Sequence, residues 1–158
     1  MAFVIANLVT VGEFQDRVAV VTYSTVPTIL LHFDDFNYDI NLILQALANF
    51  VYLPGGGTAT GSALAEARVN VFNPSAGWRN QLTVVIVMTD GMSGEGPVFV
   101  ADEALALRVH TNAEVFALGI GALAGTNGTF NDELRSIPSE PIADHLFTAN
   151  DFEFLSSD

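Results

Sequence analysis

The sequence contains no cysteine and no lysine. The first absence excludes a disulfide framework, thiolate metal sites and thiol chemistry. It leaves the compartment open, because a domain with an adequate core can be secreted without bridges. The second absence leaves five basic residues, Arg17, Arg68, Arg79, Arg108 and Arg135, against 18 acidic ones, for a net charge of −13. Nucleic acid requires a basic footprint to neutralise its phosphates, so that class of partner is excluded. Binding to an anionic membrane is disfavoured for the same reason, and an acidic surface favours cations, basic partners or plain solubility. No run approaches the ~20 apolar residues of a membrane span. The opening Met1–Val9 is apolar, but it lacks a basic n-region and Asn7 interrupts it, so it does not read as a signal peptide. It reads as a core helix that has lost its upstream context.

Half of the 158 residues are hydrophobic, and a chain of this length buries roughly 70% of its unfolded surface. Apolar runs alternate with stretches of helical period. The segment from Arg17 to Ser24 is β-branched and continuously apolar, as a strand buried on both faces would be. Pro27 separates it from a second strand, Thr28–Phe33. The short gap predicts a hairpin, with an antiparallel edge strand where proline is tolerated. Ile40, Ile43, Leu44 and Leu47 make an amphipathic stripe with Asp39 placed to cap it. The loop from Pro54 to Gly61 precedes a helix carrying Leu64, Ala67, Arg68 and Val71, which Asn73–Gly77 ends. Leu82–Met88 is the strongest strand and runs into the turn Thr89–Gly91. A helix over about Val98–His110 leads to a strand over Glu114–Gly121. A short helix near Asn131–Ile137 and a weak strand at His145–Phe147 follow. Strands separated by helices imply βαβ units. The expected fold class is α/β: a doubly wound, mostly parallel sheet with one antiparallel edge strand and helices on both faces. No linker, repeat or low-complexity tract divides residues 1–158, which read as a single domain.

In such sheets ligands bind at the carboxyl ends of the strands. Three loops qualify: Gly55–Gly61, Thr89–Gly96 and Gly119–Gly128. Gly56 and Gly61 have the spacing of a phosphate loop, yet Ser62 stands where its lysine belongs, and the loop follows a helix. Gly119, Gly121 and Ala124 match a dinucleotide fingerprint, which needs a helix to start at that turn. Gly125–Thr129 extends the loop instead, and the glycines suit a tight turn. No serine lies in a nucleophile elbow. His32, His110 and His145 are far apart and read as surface or half-buried residues rather than bases. Asp34 and Asp35 read as solvated caps. No catalytic residue is assigned. Thr58 and Asp90 remain, a hydroxyl and a carboxylate on loops at one edge of the sheet. Both are hard ligands for Mg²⁺, Mn²⁺ or Ca²⁺. The alternatives are that Thr58 caps a helix and Asp90 closes a turn.

Four segments in order, Arg17–Ser24, Pro54–Leu64, Val85–Gly91 and Val115–Gly121, resemble the von Willebrand factor A domain. The closing Asp144–Phe147 and Asp151–Phe152 are similar to that family's last strand and helix. The match covers nearly the whole chain and looks closest to extracellular members in matrix proteins, collagens and adhesion receptors. The resemblance implies a secreted or ectodomain adhesion module, not an enzyme, that binds a matrix or cell-surface protein without inserting in a membrane. It implies a metal-ion-dependent adhesion site at the carboxyl-end face, with Thr58 and Asp90 as two of its ligands. Mg²⁺ or Ca²⁺ would bind there in the intact domain, and an acidic group of the partner would complete the coordination. Ser93 and Glu95, after Asp90, are expected at the rim. The family's first strand and its Asp-x-Ser-x-Ser motif have no counterpart, and Met1–Val11 resembles the helix that follows them. The expectation is an N-terminally incomplete domain with two strand edges unpaired. A metal-independent structural module, and a nucleotide-binding enzyme using the Gly119 loop, stay open. Asn127-Gly128-Thr129 is a glycosylation acceptor triplet.

Overall fold

A computed structural model describes residues 9–51, 56–121 and 128–149. Pro54 and Gly55 of the glycine loop, Asn127, and the closing Asp151–Phe152 lie outside the described residues, as does most of the helix expected at Met1–Val11. The part of that helix within view is not helical. Val11 forms an isolated bridge with Asp16, and the Asp16 carboxylate accepts from the Thr10 amide at 3.0 Å.

Two sheets form. Strands β1 (Val20–Tyr23) and β2 (Pro27–Leu31) pair antiparallel, as the proline and the short gap predict. Strands β3 (Val84–Thr89), β4 (Glu114–Ile120) and β5 (Leu146–Ala149) form a parallel sheet in that order. Among the described residues no strand pairing joins β1 to β3. The apolar run at Leu82 overstates its strand. Leu82 is 94% exposed, and pairing begins at Val84, where Glu114 donates to the Thr83 carbonyl.

Helix α1 (Ile40–Ala48) starts where the stripe and cap predict. The Asp39 side chain accepts from the Asn41 and Leu42 amides. Helix α2 (Thr60–Glu66) begins inside the glycine loop and continues as a wider turn through Ala67–Val71. Helix α3 (Pro97–Thr111) ends at Asn112, which adopts a left-handed conformation. Helix α4 (Thr129–Ser136) and the one-turn α5 (Ile142–His145) precede β5. Arg108 of α3 donates to the Ser136, Ile137 and Pro138 carbonyls, satisfying the orphan acceptors at the end of α4.

The core is split along the same seam as the sheets. The larger cluster packs Leu64, Val100, Leu107, Val115, Ala117 and Leu134 between the parallel sheet and α2, α3 and α4. A smaller one, Val20, Leu31 and Ile43, lies between the hairpin and α1. Helix α2 touches β1, β2 and α3, and so ties the two parts together. Gly61 explains how closely it does so. A Cβ there would meet Phe99 ring carbons of α3 at 2.4 and 2.7 Å, so this glycine serves helix–helix approach rather than phosphate binding.

Candidate metal and partner-binding rim

The residues that matter converge where β1 and β3 end. The Ala59 amide donates to the Ser24 carbonyl at 2.7 Å, which fixes the glycine loop against the end of β1. The Gly94 amide donates to the Thr58 carbonyl at 3.2 Å, which fixes the loop after β3 against the residue before Ala59. The Thr58 hydroxyl lies 3.5 Å from the position a Cβ would take at Gly91, the residue after Asp90. Thr58 and Asp90, 32 positions apart in the chain, therefore share one end of the sheet.

Neither does the humbler job its position allowed. The residue flanking α2 is Ala59, with no side-chain cap. Glu95 caps the helix from the neighbouring loop, accepting from the Ser62 amide at 2.9 Å and from the Ser62 hydroxyl. A carboxylate at a helix N-terminus is stabilised by the exposed amides and the helix dipole. The turn after β3 is closed by Thr89, whose hydroxyl donates to the Gly91 carbonyl at 2.9 Å.

Ser93 and Glu95 turn inward. Ser93 is buried and its amide donates to Glu133 Oε1 at 2.9 Å, while its hydroxyl donates to Glu95 Oε2 at 3.4 Å. Glu133, on α4, escaped the sequence reading because its local pattern is that of an ordinary amphipathic helix. It is 1% exposed, and among the described residues its Oε2 has no hydrogen-bond partner. Burial pushes its carboxyl up from the ordinary range; the Ser93 amide opposes the shift and Glu95 adds to it. The Thr60 hydroxyl is also buried, close to the Tyr23 phenol. Burial also raises the Tyr23 phenol, and the Asp90 and Glu133 carboxylates push it the same way.

This end of the sheet is thus acidic and lined with oxygen donors, the ligand chemistry of hard divalent cations rather than of zinc-selective thiolates. Thr58 and Asp90 fit such an ion in donor type. In number they fall short, because such ions take about six oxygens. Among the described residues no group of three His, Cys, Asp or Glu side chains could hold a metal.

The histidines stand elsewhere. His110 stacks on Trp78, with ring centroids 5.6 Å apart, and donates to the Phe72 carbonyl. His145, buried, lies between the Pro141 carbonyl and Glu114, both at 2.9 Å. At the Gly119 loop the Gly121 amide donates to the Ala149 carbonyl at 2.8 Å, and the next helix among the described residues begins at Thr129. No described helix starts at that turn to face a pyrophosphate.

Comparison with known proteins gives a consistent picture. Mouse cochlin is 32% identical over 154 residues, 96% of this chain and 25% of cochlin. Human matrilin-1 is 36% identical over 115 residues, 72% of this chain and 21% of matrilin-1. The chain thus spans about a quarter of the length of these curated relatives. Among solved structures, proximal thread matrix protein 1 from the mussel byssus, with a zinc-occupied MIDAS motif, superposes with a TM-score of 0.83. It is 28% identical, and the match covers 98% of this chain and 38% of that one. The extracellular placement read from the sequence agrees with these relatives, which are matrix proteins. Among the described residues no helix is long and apolar enough to cross a membrane. The model of the von Willebrand factor type A domain matches residues 1–157, and the chain belongs to that family.

Proposed function

We propose that this chain is a non-enzymatic protein-binding module of the extracellular matrix, engaging its partner at the rim formed by Thr58 and Asp90. The observation that carries the reading is the Thr58 hydroxyl set 3.5 Å from the Cβ position of the residue after Asp90. Thr58 and Asp90 thus belong to neighbouring loops at the carboxyl end of β3, where open α/β folds bind ligands. In the intact domain Thr58 contributes a hydroxyl, directly or through water, and Asp90 contributes charge to Mg²⁺ or Ca²⁺. An acidic group of a matrix or cell-surface protein fills a remaining position. The zinc-occupied motif of the mussel protein supports metal chemistry in a relative of the same fold. Glu95 and Ser93 act from behind the rim, holding α2 and the loop after β3 together. Residues 1–158 act as one domain, and Asn127 carries the glycan.

A second reading has its own support. Among the described residues no group of three His, Cys, Asp or Glu side chains could hold a metal. This favours a module that binds protein without metal. Isothermal titration of Mg²⁺ and of Ca²⁺ separates the two. The metal-dependent reading expects saturable heat with Kd of about 10⁻⁴–10⁻³ M, abolished in Asp90→Ala and weakened in Thr58→Ala. Equal heats in wild type and Asp90→Ala would sink it in favour of the metal-free module.

A further inference from the structure

Among the described residues Glu133 is the only buried acid. It sits on α4 between Phe130 and Leu134, both members of the larger core cluster. Its Oε1 accepts from the Ser93 amide at 2.9 Å, while Oε2 is enclosed with no hydrogen-bond partner among those residues. The segment it holds, Asp90 to Gly96, carries glycine at 91, 94 and 96 and an exposed Met92. Ser93 is thus the point where an open, glycine-rich loop turns into the protein. Two further bonds fasten that loop elsewhere, the Gly94 amide to the Thr58 carbonyl and Glu95 to the Ser62 amide. Glu133 alone ties it to α4.

The surroundings of Glu133 give a negative charge almost no support. Helix α3 and β4, which pack on α4, bring Val100, Ala104, Leu107, Val115 and Ala117 into the same core. The Arg108 guanidinium of α3 is engaged by the carbonyls of residues 136–138, beyond Glu133. Asp132 and Arg135, on α4 itself, are exposed. The loop contributes Glu95, which is of like charge, and β1 contributes the neutral Tyr23 phenol. Among the described residues no salt bridge reaches Glu133. A buried carboxylate without a cation beside it takes up a proton instead, and one amide donor does not offset the lost hydration.

We propose that neutral Glu133 latches the loop after β3 closed, and that loss of its proton releases that loop. The neutral acid accepts from Ser93 through Oε1 and keeps its proton on Oε2. Ionised, it places an enclosed charge beside Glu95, and outward movement of Ser93 lets water reach that charge. The open loop therefore binds the proton less tightly than the closed one. Opening grows as pH rises above the ordinary carboxyl value of 4.5 and levels off once pH passes the folded value. The latch sets the position of Asp90 and Met92, so its purpose rests on the rim of the proposed function. Its test uses neither metal nor partner, and the two readings fail separately.

Glu133→Gln keeps the shape and the acceptor for Ser93 but cannot ionise. Amide hydrogen exchange of Ser93 is measured in the full chain, wild type and Glu133→Gln, from about pH 4.5 to about pH 8. Base catalysis and the titrations of Glu95 and His145 are common to both proteins, so the ratio of the two rates isolates Glu133. That ratio is expected to rise about ten-fold for each unit by which the fold raises the Glu133 pKa. Ser93 should also exchange ahead of the β4 amides, which open with the whole domain. In wild type, NMR of the Glu133 carboxyl carbon and the Ser93 amide nitrogen should give one shared midpoint above 4.5. A flat ratio overturns the proposal, as does Ser93 exchange no faster than that of β4. If Glu133→Gln does not fold, the two midpoints decide: a shared, raised one supports the latch, and separate or ordinary ones overturn it.

Discussion

Removing the Tyr23 hydroxyl tests the account of the seam directly. In Tyr23→Phe the ring is kept and one O–H···O bond of 2.7 Å to Met88 is lost. A neutral hydrogen bond contributes about 1 kcal/mol, and an acceptor left buried without a partner costs about 1–3 kcal/mol more. The cavity beside Met88 is large enough to admit water, which can restore part of the bond. The expected loss is therefore at the lower end, about 1–2 kcal/mol. For a chain of this size that lowers Tm by roughly 3–6 °C. Urea unfolding followed by Trp78 fluorescence gives the free energy, and calorimetry gives Tm. Burial raises the Tyr23 phenol, so the variant should also lose the latest-titrating component of an ultraviolet tyrosine titration. An unchanged denaturant midpoint together with an unchanged titration would refute the bridge between β1 and β3.

Two other perturbations probe the packing and the charges. Gly61→Ala forces a methyl against the Phe99 ring at 2.4 Å and should cost about 1–3 kcal/mol; a denaturant midpoint equal to wild type would show that α2 and α3 are not in close contact. His145 should make stability depend on pH, because its pKa is raised, first by the Pro141 carbonyl and next by Glu114. A folded value above the unfolded one means the contribution is full below about pH 6.5 and fades as pH rises through the folded value. Tm measured from about pH 5.5 to about pH 8.5 should therefore decline more steeply in wild type than in His145→Gln. Parallel profiles would show that the imidazolium is not favoured by the fold.

The seam also bears on the candidate rim. Ala59, the residue after Thr58, is bonded to Ser24, which follows β1, while Asp90 follows β3. Any change in the spacing of β1 and β3 changes the distance between the two oxygens. Glu95 ties the loop after β3 to α2, and Glu133 anchors the Ser93 amide of that loop to α4.

Local chemistry was legible in the string, because it depends on neighbours a few residues away. The apolar runs at Arg17–Ser24, Leu82–Met88 and Glu114–Gly121 hold the strands Val20–Tyr23, Val84–Thr89 and Glu114–Ile120, and Pro27 marked the antiparallel hairpin. The Ile40–Leu47 stripe became a helix capped by Asp39. The ordered motifs also carried the family and pointed to Thr58 and Asp90. Tertiary structure alone decided what those residues touch. It gave the helix cap to Glu95 rather than Thr58, turned Ser93 inward, and brought Glu133 from α4 under the loop after β3. It also set the Tyr23 hydroxyl on the Met88 carbonyl, between β1 and β3. These outcomes depend on burial and on partners 33 to 65 positions away. Hydrophobic period and turn chemistry encode neither, because they describe only a residue's own stretch of backbone.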